Sequence, residues 1–510
     1  MGDAMERFLQ MKRELYEMVD SEPAEAVRAA RALISAPSFA QENARVLGAC
    51  VLIDAGIEAR DDEAVREGTE LLRQLLENTS QRPDLEYNLA NGLVAGADLI
   101  PYRDVNWFMD TGEARQEARR LYASAANQLE SPQLRARSIT NLGNALLKAY
   151  RFVEAYDHYV DALRSDPTNG VALTAAAKVL LRFMDAGMGE RKTLLAVVAR
   201  HLGHANLHSD RLRELAGSRA FEDLDDLLKR DVSGGEMPNL SSADEYTRFV
   251  AEHRLALSPT IEGLDPTVRK WDGLAFSSII EPPGDDSGVP AIFAIFNVLK
   301  SDYLAARYLA YLGVTGAGPE TGTYFDTLDY AVYGISTSLL TLSQRACFDM
   351  LDKIAVAVSH YLALPGQTRD IKFASRWFSK DESGRLVWQP GVLEEIQAGN
   401  SPLIALSEVG RDTLEGGFLH PKKTMRHAGT HRFAVLHDLG VTPSRECRFV
   451  THYKDAVFRQ HLLDTLQLAR AALFYFFEMI LARESRLARQ GGPRAHLFVP
   501  DHDWVRQGDI

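Results

Sequence analysis

A chain of 510 residues with 46% hydrophobic and 25% charged residues is long enough for two or three cores and too apolar to be disordered or fibrous. A formal net charge of −13 excludes a generally polycationic nucleic-acid binder, so any polyanion site has to be a local basic patch. Three scattered cysteines (Cys50, Cys347 and Cys447), with no CxxC spacing, argue against a disulfide framework and for a reducing, cytoplasmic compartment.

The first residues, "MGDAMERFLQMKRELYEMVD", are charged and amphipathic and lack the apolar run of a secretory signal. Gly2 is not followed by the Ser or Thr of a myristoylation signal. Residues 1–230 then read almost entirely as helix, in Ala/Leu/Glu/Arg-rich segments of 3.6-type spacing separated by short polar turns. Within them "NLGNALLKAYRFVEAYDHYVDALRSDP" places Leu142, Gly143, Leu146, Ala155, Tyr159, Ala162 and Pro167 at the spacings of a helical hairpin repeat. The small residues let two helices approach, the large ones fill the gap between them, and the proline stops the second helix.

More diverged copies precede it. Leu89, Ala90 and Leu93 pair with Ala118, Tyr122 and Ala125 across an insertion, "DLIPYRDVNWFMD". Leu47, Gly48 and Val51 pair with Ala64 and Leu71, and "VALTAAAKVLLRF" with "KTLLAVVARHL" reads as a fourth helix pair. The pattern resembles the tetratricopeptide family, which implies a curved solenoid that holds a protein or peptide partner or packs on its own neighbouring domain.

From 231 to 289 the texture changes to Gly, Pro, Ser and Asp ("DVSGGEMPNLSS", "IIEPPGDDSGVP"), the mark of a connector with short ordered pieces. Helices are predicted again over 291–313 and 339–364, and as two pieces within 392–414 around a Gly-Asn-Ser-Pro break. Further helices are predicted over 421–439, with Pro421 in the first turn, and over 456–489. In the last of these, "AALFYFFEMILA" is too short to span a bilayer and carries Glu478, so no membrane partner is expected. The expected architecture is all-α: helical repeats over 1–230, the connector over 231–289, a helical bundle over 290–490, and a tail over 491–510.

The chemistry concentrates in "PKKTMRHAGTHR", where Lys422, Lys423, Arg426 and Arg432 stand with two histidines and no acid. In an acidic protein such a window reads as a phosphate-attracting patch, or equally as a solvated basic face. Three readings compete. His427 and His431 are i and i+4 on one helical face, the spacing of helical zinc pairs, but Ala428 stands where HExxH has its glutamate. His420 and His437 are unconvincing third ligands. Alternatively the histidines cap and pack. The third reading is an R-x4-H motif formed by Arg426 and His431. Among other residues, Asp352 and Lys353 in "LDKIA" are cleft-lining candidates, although such an i,i+1 pair usually faces solvent. GxxxxGK[ST], GxGxxG and GxSxG motifs are absent, so NTPase, dinucleotide-binding and serine-hydrolase functions have no motif behind them.

The R-x4-H motif lies late in a helical bundle, between "FDMLDKIAVAVSHYL" and "LLDTLQLARAALFYFFEMILARE". Over about 290–490 this arrangement resembles the HEPN superfamily (higher eukaryotes and prokaryotes nucleotide-binding). More narrowly it is similar to a bacterial branch with tetratricopeptide-like repeats in front. The resemblance implies a metal-independent endoribonuclease, without cofactor, whose active site forms where two HEPN domains pair as a homodimer. It also implies RNA as substrate and a role in anti-phage defence or as a toxin. Arg426 and His431 would be catalytic, His427 and Asp352 auxiliary, and Lys422, Lys423 and Arg432 would bind the RNA backbone. Family members often carry Asn or another polar residue after the arginine; this chain has His427. Gly429 loosens the motif helix by about 1 kcal/mol against Ala. The competing class is a non-catalytic scaffold that binds a protein on its repeats and RNA or nucleotide on its HEPN domain.

Overall fold

The computed structural model describes residues 2–35, 42–79, 81–241, 243–258, 260, 262, 272–276, 278–280, 289–439 and 447–491. For 2–4, 214, 215, 218 and 427–431 it describes the backbone alone. The tail expected over 491–510 lies outside the described residues beyond Gly491.

The N-terminal part is a stack of helical repeats. Glu42–Ala59 packs on Asp62–Glu77, Pro83–Leu99 on Gly112–Gln128, Pro132–Lys148 on Phe152–Ser165, and Gly170–Asp185 on Arg191–Leu207. Some of these starts carry side-chain caps: Asp61 accepts from the backbone N–H groups of Glu63 and Ala64, and Asn169 accepts from that of Ala172. The repeat spacing places Leu142, Leu146, Ala155, Tyr159 and Ala162 in the core. Gly143 is small for a reason, since a Cβ there would lie 2.6 Å from the Tyr159 ring. The "DLIPYRDVNWFMD" insertion forms a loop and a short helix, Trp107–Asp110. Trp107 Nε1 donates to the Ile100 carbonyl at 3.0 Å, and Trp388 from the C-terminal part donates to the Val105 carbonyl at 3.3 Å. The insertion therefore docks onto the other half of the chain.

Described parts of 231–289 are packed as well as connecting. Leu255, Ala256, Leu257 and Leu274 are fully buried. Arg307 on the Ala291–Thr315 helix grips Asp272 at 2.7 and 2.8 Å, and Tyr303 donates to the Leu255 carbonyl at 2.9 Å. Burying these carbonyl and carboxylate groups is tolerable because each is matched by a donor.

The C-terminal bundle is built on three long helices, Ala291–Thr315, Ile335–Tyr361 and Asp455–Gln490, with Pro390–Gln397 and Pro402–Asp412 beside them. Asp455–Gln490 is long and apolar enough by composition to cross a membrane, but 78% of its most apolar stretch is buried inside the fold. It is the core helix, with Phe474, Tyr475 and Phe476 fully enclosed.

Short strands decorate the bundle. β1 (Ala331–Val332), β4 (Phe433–His437) and β5 (Val450–Lys454) form one sheet in the order β1-β4-β5; β2 (Phe378–Lys380) and β3 (Leu386–Trp388) form a hairpin. β4 corrects the helix expected over 421–439: the helix runs His420–His431, and "FAVLH" is extended. Its β-favouring residues pair in parallel with β5, Phe433 opposite Val450 and His437 opposite Lys454. That tertiary pairing outweighs a helical reading of a short apolar run.

The two halves are joined by a buried ionic network. Arg115 is bidentate to Glu408 at 3.0 Å and 3.0 Å, and Arg119 is bidentate to Asp412 at 2.8 Å and 2.8 Å. Arg151 bridges Asp412 and Glu154. Burial alone would raise the Glu408 pKa, but the guanidinium groups of Arg115, Arg119 and Arg411 outweigh it and hold the carboxyl well below the ordinary range.

Candidate active site

The motif helix His420–His431 begins where the chain turns out of the buried network. Leu419 N–H donates to the Asp412 carbonyl at 3.1 Å, and the tight turn between them needs Gly417, whose Cβ would lie 2.1 Å from that same oxygen. Pro421 sits in the first turn as expected. The helix lies against Ile335–Tyr361, with Met425 buried and touching His461 of the Asp455–Gln490 helix.

Arg426 is placed on the side that faces Ile335–Tyr361. Its Nη2 lies 2.5 Å from an Asp349 carboxylate oxygen and 3.7 Å from one of Asp352. These acids are i and i+3, so one helical face presents both. Asp352 also accepts from the Phe373 backbone N–H at 3.0 Å, which anchors it while it faces Arg426. Lys353 points elsewhere, to Asp302 at 2.6 Å. The structure thus joins Asp352 to the motif arginine and leaves Lys353 out.

Lys422 reaches Asp464 at 2.8 Å, and its carbonyl accepts from Gln344 at 3.3 Å. Burial lowers the Lys423 pKa, opposed by Asp352 and assisted by Arg426 and Lys372. Arg432 is exposed beyond the helix end. The cationic window therefore contains no acid of its own but, among the described residues, meets Asp349, Asp352 and Asp464 from neighbouring helices. Burial also lowers the His461 pKa, with Lys422 adding to the effect and Asp464 opposing it. The backbone of His427 and His431 belongs to the motif helix; their side chains lie outside the described residues.

A cavity of about 910 Å³ runs between the repeats and the start of the motif helix, lined by Glu154, Asp161, Lys422, His461 and Asp464 among others. Acids (Glu154, Asp157, Asp161 and Asp464) and bases (Arg135, Arg164 and Lys422) both line it.

Sequence reasoning missed Asp349 and Asp464 as partners. Asp349 was legible in principle, three residues before Asp352 on one face; Asp464 was not, because only tertiary packing brings it to Lys422. A second cluster was also missed. His437, at the end of β4, donates from Nδ1 to the Asp329 carbonyl at 2.9 Å, and its Nε2 lies 2.7 Å from Nδ1 of His452 on β5. The hydrogen bond from Thr327 holds the Asp329 carboxyl below its ordinary range. Nothing in the sequence links Asp329 to residues more than a hundred positions later.

Residues 283–484 match the family model described as LA2681-like HEPN. The C-terminal part of the chain is a HEPN domain, and the whole motif from Arg426 to His431 lies inside the matched span. Membership directs its function toward RNA cleavage or nucleotide-related chemistry. No curated protein and no solved structure matched the chain.

Proposed function

We propose that this chain is a metal-independent endoribonuclease that acts as a homodimer, with Arg426 and His431 as its catalytic residues. The observation that carries the reading is Arg426, held by Asp349 and Asp352 inside a HEPN domain at the head of an R-x4-H motif. RNA supplies its own nucleophile, the ribose 2′-OH, so no protein nucleophile is needed. An imidazole titrating near neutrality can take the 2′-OH proton or protonate the leaving 5′ oxygen. A guanidinium stays charged and presents a fork of donors to the phosphorane oxygens. The products are a 2′,3′-cyclic phosphate and a 5′-OH.

One histidine does not readily serve as base and acid in the same turnover, and a second copy of the chain supplies another. Exposed apolar side chains around the sheet favour such pairing. Phe433 is 71% exposed two residues after His431, and Phe325, Leu328 and Phe449 are also exposed. Lys423 and Arg432 contact the RNA backbone, Lys422 does so once its bond to Asp464 is exchanged, and His427 is an auxiliary donor. On the repeats, a cavity of about 380 Å³ lined by Asn141, Asn144, Asn169, Arg137 and Arg211 suits the backbone and acidic groups of a peptide partner. An RNase coupled to such a sensor fits anti-phage defence or a toxin-like role in the cytoplasm.

The test is cleavage of a defined RNA by full-length protein without added divalent metal. His431→Ala and Arg426→Ala should abolish cleavage and leave folding and dimerisation intact; undiminished cleavage by either sinks the assignment. A second reading, a scaffold that binds RNA or nucleotide without cutting, is favoured by the acids already paired with Arg426 and Lys422. It predicts binding by the wild type with no cyclic-phosphate product under any condition.

A further inference from the structure

We infer that Asp329, His437 and His452 form a binding site for one divalent transition-metal ion, with zinc the best match, separate from the R-x4-H motif. One ligand atom from each residue can be chosen so that all three lie within 4.8 Å of one another. His437 is buried, and the other two are half-buried at the edge of the sheet. The register explains why the histidines converge. His452 stands opposite Val435, two residues before His437 on the neighbouring parallel strand, so the two side chains share a face.

The hydrogen bonding prepares the site. A carbonyl oxygen only accepts, so the 2.9 Å contact to the Asp329 carbonyl puts the proton of His437 on Nδ1 and leaves the Nε2 lone pair as an acceptor, which a metal ion would take over from the Nδ1–H of His452. His437 Nε2 faces Nδ1 of His452 at 2.7 Å. Two nitrogens bound to one tetrahedral zinc lie about 3.3 Å apart, so the rings need to separate by only about 0.6 Å. Metal-bound histidines characteristically donate their other N–H to a carbonyl or carboxylate, as His437 does here. The Asp329 carboxylate is oriented by Thr327 Oγ1 at 2.5 Å and the Ala331 N–H at 3.3 Å.

The backbone supports the same assignment. Leu328 and Tyr330, on either side of Asp329, both have left-handed conformations, with φ of 56° and 58°. Two such non-glycine residues in a row of three are strained conformations that L side chains rarely adopt. A metal bond at Asp329 offsets that strain. Two imidazoles and one carboxylate make a borderline N/O set that favours zinc over calcium or magnesium, with the fourth position left to water. Bound there, the ion would clamp the loop before β1 to β4 and β5, and β4 starts two residues after His431. Its role is to fix the exit of the motif helix, outside the cleavage chemistry.

The experiment is cobalt binding to full-length protein freed of metal by dialysis against a chelator. One equivalent of Co²⁺ should produce visible absorption of a tetrahedral site, displaced by one equivalent of Zn²⁺. His452→Ala and the loop variant Asp329→Asn should each weaken binding at least tenfold, with helical circular dichroism unchanged, while His427→Ala keeps wild-type stoichiometry. The inference is overturned if wild type binds no cobalt, if both site variants bind it undiminished, or if His427→Ala abolishes the signal. Because the readout is metal binding, failure here leaves the ribonuclease reading standing, and the converse holds.

Discussion

Arg119 and Asp412 meet as a fully buried bidentate pair, both bonds 2.8 Å, across 293 residues of sequence. The same Asp412 accepts through its backbone carbonyl from Leu419, the residue before the motif helix. One residue therefore fixes the repeats with its side chain and the entry of the motif helix with its main chain. The repeats are not a loosely tethered sensor. The repeats and the entry of the motif helix are tied through one packed, charge-matched residue.

Asp412→Asn keeps the shape but removes the charge that faces Arg119 and Arg151. Breaking one side of a buried pair leaves uncompensated charge, so the variant should lose about 3–5 kcal/mol in urea unfolding. Arg119→Met combined with Asp412→Leu should lose less than the sum of the single changes, because both buried charges leave together. Strict additivity in that cycle would show that the pair is not coupled.

Glu408 gives the network a pH signature. Its folded pKa lies below the ordinary 4.5, near 2, because Arg115, Arg119 and Arg411 outweigh the effect of burial. A depressed acid contributes stability that is present above pH 4.5 and is lost as pH falls toward 2. Glu408→Gln does not titrate, so its deficit against wild type should be full at pH 7 and shrink between pH 4.5 and 2. Thermal melts at pH 7, 4 and 3 check this; a deficit constant across them would assign the cost to packing instead.

The all-helical plan was legible because long apolar periodicity and small-residue spacing are local signals. Gly143 beside Tyr159 is such a case. The HEPN match spans the bundle that holds the R-x4-H motif. β4 was not legible: "FAVLH" is five residues, too short for periodicity to separate helix from strand, and its partner β5 comes after an intervening stretch. The buried network was invisible for a related reason. Arg115, Arg119 and Glu408 look like ordinary charged helix positions until two distant helices are brought face to face. Similarly, the basic window looked unopposed because Asp349, Asp352 and Asp464 come from other helices.

Asp349 is ion-paired with Arg426, so under the proposed function it would compete with RNA phosphate for that guanidinium. Its side chain is 44% exposed, so its ion pair contributes little to stability, about 0–1 kcal/mol. Asp349→Asn should leave the melting temperature unchanged and tighten binding of a labelled RNA by up to about fivefold, with steeper salt dependence. Fluorescence anisotropy at two salt concentrations measures it. Weaker binding in the variant would make Asp349 a positioning residue for Arg426 and not a competitor.

Glu478 sits in the core helix beside Arg182 of the repeats, where burial pushes its carboxyl up to about 7 and Arg182 only partly opposes the rise. The sign is the reverse of Glu408. A raised acid costs nothing while protonated in both states, below about pH 4.5, and its burial penalty grows as pH rises toward 7. Glu478→Gln keeps a neutral amide at all pH values, so it should match wild type at pH 4.5 and be more stable at pH 8. The gain should be about 1–3 kcal/mol, several degrees in the melt. A variant less stable than wild type at pH 8 would mean that attraction to Arg182 outweighs desolvation. In that case Glu478 would be a further ionic tie between the repeats and the HEPN domain, like Asp412.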